Sequence, residues 1–514
     1  MRATSAGRRQ SRRVLALGLG VALLAAACGA RTAPYLGAGA TGQGGAATNA
    51  GGVAAGGSQD AGSGAVQQSG SNPGGATNGA AGGRSLPGAA SGPAGAGPGG
   101  AAAAVAAQAL TPTNFPFTSP AAQAGACPAA PGNGSSDTGI SPTAVSVGNV
   151  SGLTGVLANN FEQGSEAVQA LFSAINAAGG ICGRQLKLQV EDDGQDSTKN
   201  SADIADLVPK VFAFVGSTSD ADNGGVVEMA NAKIPDFGQA INSNRGTAPT
   251  YWSAGGSTLY TANGHPEIYD AIVQGLKANG NFPKRIATLA FSVPISADAA
   301  KEYQYLFTHE GSTSCFTDYS ISPATASLDQ DVLQMKNAGC DGVYTTMDVT
   351  GNAKLLQAMK RQGFAPHFAG TTFDGYTPAQ VSVAGADAAQ GFEVSLPFIP
   401  FSDNNAIVST YVSQLKTYEP GKDPSSFGLL AWASAEMFVY ALIKAGRNPT
   451  RATLIGALQA IDSWNTGGAT AANVPRLRQP SGPCTVEAVV KGNDYVRKWP
   501  PSAYFCTGQL VPVG

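Results

Sequence analysis

Short apolar runs alternate with amphipathic stretches along most of the chain. The run AVSVGNV predicts a buried strand, and the apolar residues after it recur at helical spacing from Phe161 to Ile175. Gly179 and Gly180 then end this helix, because glycine adopts the left-handed conformation that closes a helix. The next apolar residues alternate with polar ones and predict a second, half-buried strand: Leu186, Leu188 and Val190.

The same alternation of strands and helices continues toward the C-terminus. VFAFVG predicts a short buried strand, and VVEMANAKIPDF predicts a helix followed by a strand. A second series begins with the strand RIATLAF and alternates three strands with three helices through NAKLLQAMKRQG. Such βαβ patterns form parallel sheets, and roughly 370 residues exceed one ordinary core, so two parallel-sheet lobes are expected. Long helices from Phe427 and Arg451 precede a cysteine-bracketed β tail.

The N-terminus has the features of an export signal. Five arginines precede the apolar run VLALGLGVALLAAAC. This run is shorter than the ~20 apolar residues that span a bilayer, which favours a cleaved signal peptide over residues 1–27. LAAA before Cys28 resembles the lipobox of bacterial lipoproteins, which implies acylation of Cys28. Cleavage by an ordinary signal peptidase is the alternative, and SRRVLAL resembles a twin-arginine signal.

Residues 28–136 consist mainly of Gly, Ala, Ser, Pro, Gln and Asn, and they include very few charges. This composition cannot bury a core, so it predicts a disordered linker. A flexible linker of about 100 residues has a root-mean-square reach of roughly 50 to 60 Å, enough to hold a tethered domain away from a membrane surface.

The cysteines indicate disulfides. Six of the seven cysteines remain when Cys28 is set aside, and an even number in an exported chain favours pairing. Six cysteines allow 15 pairings, but proximity favours Cys315 with Cys340 and Cys484 with Cys506, leaving Cys127 for Cys182. The chain has no CxxC pair, which argues against a structural zinc site.

Charge and motifs exclude several classes of function. The net charge is −3, from 31 basic and 34 acidic residues, without a basic stripe, so nucleic acid is not an expected partner. The three histidines lack metal-ligand spacing, and the chain has no G-x-S-x-G motif, so an extracellular hydrolase is the least favoured interpretation. EDDGQD lacks the spacing of a calcium loop, and we interpret it as a solvated turn. We expect no enzymatic activity, cofactor or metal.

Several stretches, in order, resemble the type I periplasmic solute-binding proteins of the branched-chain amino-acid binding family. INAAGGICGR followed by LKLQVEDDG resembles the start of these proteins, and VFAFVGSTSD before NAKIPDF resembles their first ligand loop. LDQDVLQMKNAGCDGVYTTM and LLQAMKRQGF are similar to the repeat of the second lobe. ADAAQGFEVSLPF and SAEMFVYALIKAG are similar to the return to the first lobe and to a late helix. The resemblance covers most of residues 143–494.

The resemblance implies an α/β fold with two doubly wound parallel-sheet lobes, joined by three crossover strands, with a small solute in the cleft. Open parallel sheets present backbone N–H groups and hydroxyls at such a cleft. The implied first lobe comprises residues 137–265 and 395–475. The second lobe comprises residues 266–394, and residues 476–514 add its tail of disulfide-bracketed strands.

The resemblance also implies candidate ligand contacts. Hydroxyls after the VG strand hold the ligand's carboxylate in this family, and helix capping is the alternative role for these residues. In the next loop, the family usually supplies a backbone carbonyl and a threonine hydroxyl to the ligand. FGQAINS has an alanine and an asparagine at these positions, so the hydroxyl is missing. An acid between lobe 2 glycines usually pairs with the ligand's ammonium, and an exposed loop cap is its alternative role. In this chain the hydroxyls after the VG strand are those of Ser217, Thr218 and Ser219. The residues of the next loop are Ala240 and Asn242, and the acid of lobe 2 is Asp374.

Aromatic residues depart from the family pattern. Asn160 stands near the usual ligand-stacking aromatic, with Phe161 beside it as a candidate ligand contact, and VPISADA has no aromatic where that loop usually carries one. These departures argue against a standard branched-chain amino-acid pocket. Four other aromatic residues lie near predicted strand ends, where they belong either to the core or to a different cleft: Tyr251, Trp252, Tyr344 and Phe373.

The sequence therefore predicts a lipid-anchored, exported protein on the outer face of the cell membrane. It would capture a small polar solute, such as an amino acid or an amide, by lobe closure and deliver it to an ABC importer. Its expected partners are the solute and an ABC permease, with the N-terminal lipid as its contact with the membrane, and we expect a monomer. Two alternatives remain open: a solute-sensing receptor on the same fold, and a cell-wall scaffold or adhesion lipoprotein with a vestigial cleft.

Overall fold

The computed structural model describes Cys127 and residues 132–257, 259–262, 264–480, 482–506 and 508–513. The predicted signal peptide, the predicted acylation site Cys28 and most of the predicted linker lie outside these residues. All described residues belong to one unit of the chain, Gly97–Gly514.

The first lobe is built on a five-stranded parallel sheet. Its strands are β1 (Ala144–Ser151), β2 (Gln185–Asp192), β3 (Phe214–Ser217), β4 (Asp236–Gly238) and β5 (Tyr251–Trp252), in the order β2-β1-β3-β4-β5. The helices between them are α1 (Ala158–Ala177), α2 (Ser197–Leu207), α3 (Val226–Asn231) and α4 (Ser243–Gly246). Helices cover both faces of β1, which explains why its apolar run is nearly continuous.

The second lobe begins with a hairpin and continues as βα units. Its strands are β6 (Thr261–Ala262), β7 (His265–Tyr269), β8 (Arg285–Phe291), β9 (Thr313–Ile321), β10 (Gly342–Thr345), β11 (Phe368–Thr371) and β12 (Glu393–Leu396). Its helices are α5 (Ala271–Ala278), α6 (Pro294–His309), α7 (Asp329–Asn337), α8 (Val349–Arg361), α9 (Pro378–Ala384) and α10 (Ala386–Ala389).

The chain then returns to the first lobe through α11 (Ala406–Tyr418), α12 (Ser426–Ala445) and α13 (Arg451–Gln459), and finishes in β13 (Val486–Lys491), β14 (Asp494–Trp499) and β15 (Leu510–Pro512). A seven-stranded sheet has the order β14-β13-β12-β11-β10-β8-β9. Its strands β8 to β12 are parallel, as predicted, while β13 and β14 add antiparallel to one edge. Strand β15 pairs with β7, and β7 with β6, in a separate small sheet.

The chain passes between the two large sheets three times: after β5, after β12 and after α13. Ser257, in the first connection, bridges Pro480 in the third, and Phe398, in the second, bridges Thr470. The three predicted connections are therefore present, although they are joined by single bridges and are not regular crossover strands. The exact domain boundaries stay a prediction.

Helix α12 forms the centre of the first lobe. It packs on α1, β3 and β4. In length and composition it resembles a membrane-spanning helix, but its apolar window is entirely buried within the protein. A helix that is apolar on all sides is stable only when it is surrounded, so α12 is a core helix.

The three predicted disulfides, Cys127–Cys182, Cys315–Cys340 and Cys484–Cys506, are present. Residues 132–136, at the end of the predicted linker, also contact the first lobe. The guanidinium of Arg184 donates to the carbonyl of Gly134 at 2.9 Å, and the hydroxyl of Ser136 donates to the carbonyl of Pro449 at 2.6 Å. Residues assigned to the predicted linker thus take part in contacts with the first lobe.

The interpretation of EDDGQD as a solvated turn holds only in part, because Glu191, Gly194 and Asp196 are exposed whereas Asp193 is not. Asp193 is fully buried and accepts hydrogen bonds from the amide of Asn200 and from the backbone N–H of Gln195, at 2.9 and 2.8 Å. Asp196 caps helix α2 by accepting from the N–H of Lys199. The side chain of Gln195 accepts from the N–H of Leu157 at 3.3 Å. This turn therefore helps to position the start of α1.

Candidate functional site

A cavity of about 120 Å³ lies where the two lobes meet. Residues at the start of α1 and of α12 line it from the first lobe. From the second lobe it is lined by the end of β8, by α6 and by the loops after β10 and β11. An apolar cavity of about 150 Å³ is large enough to admit benzene, so this space suits a solute about the size of one ring or a short aliphatic chain.

Aromatic side chains from both lobes form much of the cavity wall. The ring of Phe427 lies edge-on to Phe161 of the same lobe, with centroids 5.8 Å apart, and edge-on to Phe373 of the second lobe, at 5.5 Å. Phe291, at the end of β8, adds a fourth aromatic ring to the lining. The two lobes thus contact each other through rings that also face the cavity.

Three carboxyl groups line the same cavity: Asp348, Asp374 and Glu302. Asp374 lies in a short 3₁₀ turn after β11, where the hydroxyl of Thr372 donates to it. Burial raises the pKa of Asp374 to about 7, and the negative charge of Asp348 adds to the increase. Asp348 caps α8 by accepting from the N–H of Gly351 at 2.8 Å, and burial raises its pKa too.

Glu302 differs from the other two carboxyls because it has no hydrogen-bond or ion-pair partner among the described residues. It projects from α6, and only 8% of it is exposed. Burial raises its pKa to about 8, and the negative charge of Asp298 on the same helix contributes. The sequence analysis missed Glu302. The available signal was an acid between Ala299 and Leu306 on the buried stripe of the helix.

The predicted hydroxyl contacts lie outside the cavity lining. The hydroxyl of Ser217 accepts from the N–H of Val150 at 3.1 Å, and the N–H of Thr218 donates to the hydroxyl of Ser151 at 3.0 Å. The hydroxyl of Ser219 accepts from the N–H of Ala221, as a capping residue would. The tight turn after β3 directs these groups toward β1 and the backbone. A ligand role for them stays a prediction.

Ala240 and Asn242 also have partners away from the cavity. The N–H of Ala240 donates to the hydroxyl of Tyr251 at 2.8 Å, and the amide of Asn242 donates to Asp222 at 2.7 Å. Ile241, between them, lines the cavity. The sequence-predicted contacts thus separate into two groups, because Phe161 and Asp374 share the cavity while the other five do not reach its lining.

A buried ion-pair network supports the loop that carries Ile241. Arg245 contacts Asp236 at 2.8 Å and Asp222 at 3.1 Å, and all three side chains are almost fully buried. Asp222 in turn accepts from the backbone N–H of Ile241 at 2.7 Å. Sequence reasoning did not single out this network, because nothing in the local pattern around Arg245 indicates its burial.

The four strand-end aromatics have different locations. Phe373 lines the cavity, whereas Tyr344 packs against Tyr303 and Phe307 in the second lobe, with ring centroids 4.7 and 5.4 Å apart. Tyr251 and Trp252 are buried in the first lobe, outside the cavity lining. The core interpretation therefore holds for three of the four.

No metal site accompanies the cavity in the described part of the chain. No three His, Cys, Asp or Glu side chains among those residues lie close enough together to hold a metal ion. The three carboxyls are therefore dispersed around an apolar space. Such an arrangement is suited to an organic molecule with polar substituents.

Comparison with known proteins identifies related folds. A family model described as periplasmic binding protein matches residues 144–493. No match was found among curated protein sequences.

Solved structures are also similar. A fatty acid ABC transporter substrate-binding protein from Thermomonospora curvata has a TM-score of 0.59 and 19% identity, over 72% of this chain and 94% of that one. The isoleucine complex of the branched-chain amino acid binding protein LivJ from Streptococcus pneumoniae has a TM-score of 0.56 and 15% identity, over 69% and 100%. An ABC transporter solute-binding protein from R. palustris in complex with 4-hydroxybenzoate has a TM-score of 0.57 and 15% identity, over 71% of this chain and 97% of that one. At these identities the similarity concerns the fold alone.

Proposed function

The chain belongs to the periplasmic binding protein family, and we propose that it captures a small solute outside the cytoplasm by closing its two lobes and delivers it to an ABC importer. The observation that carries this proposal is the cavity lined by both lobes. A solute that contacts Phe161 and Phe427 on one side and Phe373 on the other binds the closed arrangement better than an open one. Binding energy then favours closure, and an importer can recognise the closed form.

The cavity favours a solute with an apolar body and a polar end. Its walls are mainly aromatic and aliphatic, and its polar groups include Asp374 and Asn160. The solutes named for the three similar structures, a fatty acid, isoleucine and 4-hydroxybenzoate, each have an apolar portion. We therefore extend the expected ligands beyond amino acids and amides to other small amphipathic molecules. We propose no catalytic activity, in keeping with the role of this family in transport.

A ligand screen tests the proposal. The exported chain, with its disulfides intact, would be examined by thermal shift against amino acids, amides, amines, aromatic acids and short fatty acids, with calorimetry on each hit. We expect at least one saturable ligand, and we expect Phe373→Ala to weaken its binding about tenfold or more, since the ring faces the cavity. Val227→Ala, on an exposed position of α3, serves as the control. A folded protein without any ligand would favour the scaffold or adhesion alternative.

The cellular setting is a further part of the proposal. We propose that Cys28 is acylated and anchors the protein to the outer face of the membrane, and that the protein acts as a monomer. Support for acylation comes from the lipobox-like LAAAC and from the apolar run that it ends. Labelling of cells with a radioactive fatty acid should mark the wild-type protein, and Cys28→Ser should abolish the label. An equal label on both proteins would refute acylation at Cys28.

A further inference from the structure

We propose that the cavity selects small organic amines in their protonated form and discriminates against carboxylates with the same apolar body. This inference rests on the proposed function, because it specifies the solute class of the same cavity. It begins from the charges in the lining, which includes the carboxyls of Glu302, Asp348 and Asp374 and no lysine, arginine or histidine among the residues described. A carboxylate ligand would find no cationic side chain there, whereas an ammonium group would find three candidate partners.

The surroundings of Glu302 also favour a ligand that carries an ammonium group. It is more than nine-tenths buried, it lines the cavity, and it has no partner within the described part of the chain. A largely buried carboxyl without a protein partner is costly, because little water reaches it and no protein group replaces that water. A ligand that donates hydrogen bonds or carries positive charge would satisfy it. Because Glu302 extends from the helix α6, its position is defined by secondary structure.

The groups that could donate hydrogen bonds to a ligand carboxylate are weak by comparison. The hydroxyls of Ser217, Thr218 and Ser219 do not line the cavity. The start of α1 lies at the cavity and has no side-chain cap, so its N–H groups offer a positive helix end. A helix N-terminus is equivalent to roughly half an elementary charge, which is less than the full charge of a cationic side chain.

The cation is organic and not metallic. Within the described ranges, no cluster of three acidic or other metal-ligating side chains could hold an ion. The rings of Phe161, Phe373 and Phe427 instead provide apolar surface and π-faces in the same space. Aromatic faces attract ammonium groups, most strongly when water is excluded. The combination of aromatic walls and dispersed carboxyls therefore suits an alkyl or arylalkyl ammonium.

The raised pKa values of two of these carboxyls are consistent with this inference. Burial raises the pKa of Glu302 to about 8 and that of Asp374 to about 7. These two carboxyls are therefore protonated to a larger extent near neutral pH than ordinary ones, and a bound ammonium would shift them toward the ionised form. Amine binding should accordingly release protons.

The test is calorimetry on the mature, disulfide-intact protein at pH 8 with two matched ligand series. One series is 2-phenylethylamine, phenylalanine, 3-phenylpropionate and the neutral 2-phenylethanol, and the other is isopentylamine, leucine, 4-methylpentanoate and isopentyl alcohol. We expect an amine to bind at least tenfold more tightly than the carboxylate and the amino acid of its series. Glu302→Gln should weaken the affinity for the amine at least tenfold and change the affinity for the alcohol less than twofold. Glu191→Gln removes an exposed carboxylate elsewhere and should have no effect.

Other results would overturn the inference in distinguishable ways. If a carboxylate or an amino acid binds as tightly as its amine, the amine selectivity is refuted while the solute-binding function stands. If Glu302→Gln leaves amine affinity unchanged in a protein with a wild-type circular dichroism spectrum, the role of Glu302 is refuted. If neither series binds and the broader ligand panel also fails, both the inference and the proposed function are refuted.

Discussion

Replacing Glu302 by glutamine should stabilise the empty protein, and the gain should grow as the pH rises. Burial raises the pKa of Glu302 from an ordinary value of 4.5 to about 8. Between these two values the folded protein retains a proton that the unfolded chain has lost. The wild-type carboxyl therefore destabilises the fold progressively above pH 4.5, and this cost is fully present above about pH 8. Glutamine does not ionise, so it removes this pH-dependent cost.

The magnitude follows from the size of the pKa increase. Each pH unit between the two pKa values costs about 1.4 kcal/mol of stability, which amounts to about 3 kcal/mol between pH 4.5 and pH 7. Other titratable groups near the cavity remain in both proteins and cancel in the difference: Asp298 on α6, Asp348 and Asp374 across the cavity, and Tyr269 and Tyr303.

The assay is urea unfolding of the wild type and of Glu302→Gln at several pH values from 4 to 8, without ligand. The difference in the free energy of unfolding should be smallest at pH 4 and should increase by about 3 kcal/mol by pH 7. Glu302→Leu should show the same pH dependence, because it also lacks an ionisable group. A difference that stays constant from pH 5 to pH 8 would refute the reasoning, since it would mean that the carboxyl reaches water or a partner.

Two further substitutions test the parts of the fold that support the cavity. Arg245→Met should lower the free energy of unfolding by about 3–5 kcal/mol in urea melts, because it leaves the buried carboxylates of Asp222 and Asp236 without a cation; a loss below 1 kcal/mol would contradict this. Gly216→Ala should lower it by about 1–3 kcal/mol, because φ is +73° and the new Cβ would lie 2.3 Å from Val168; an unchanged thermal midpoint would contradict this.

The stability that the protein loses by burying the Glu302 carboxyl indicates a functional role for this residue. A buried carboxyl that destabilises the empty fold is the kind of residue found where stability has been exchanged for binding or catalysis. Arg245, Asp222 and Asp236 are also buried and charged, but they satisfy one another. The Arg245 network is therefore structural, whereas Glu302 faces a space large enough for a ligand.

The sequence by itself determined the local elements, because strands and helices leave distinct periodicities in the residues that form them. RIATLAF predicted a strand, and β8 spans Arg285–Phe291. The first helix of the second predicted series is α6, which begins at Pro294, since proline suits the first turn of a helix. The small sheet of β6, β7 and β15 was not predicted, because its strands are short and β15 comes from a distant part of the chain.

Only the tertiary structure decided which residues share the cavity. Phe161 and Asp374 were both candidates, but their sequence neighbourhoods could not distinguish them from Ser217 or Asn242, which face other partners. Glu302 entered the site because α6 turns that side chain toward the meeting point of the two lobes. The ionisation of a carboxyl depends on the water and charges around it, and these are set by contacts between residues far apart in the chain. Periodicity along the sequence therefore specifies the elements, whereas the chemistry of the cavity arises only when the elements pack.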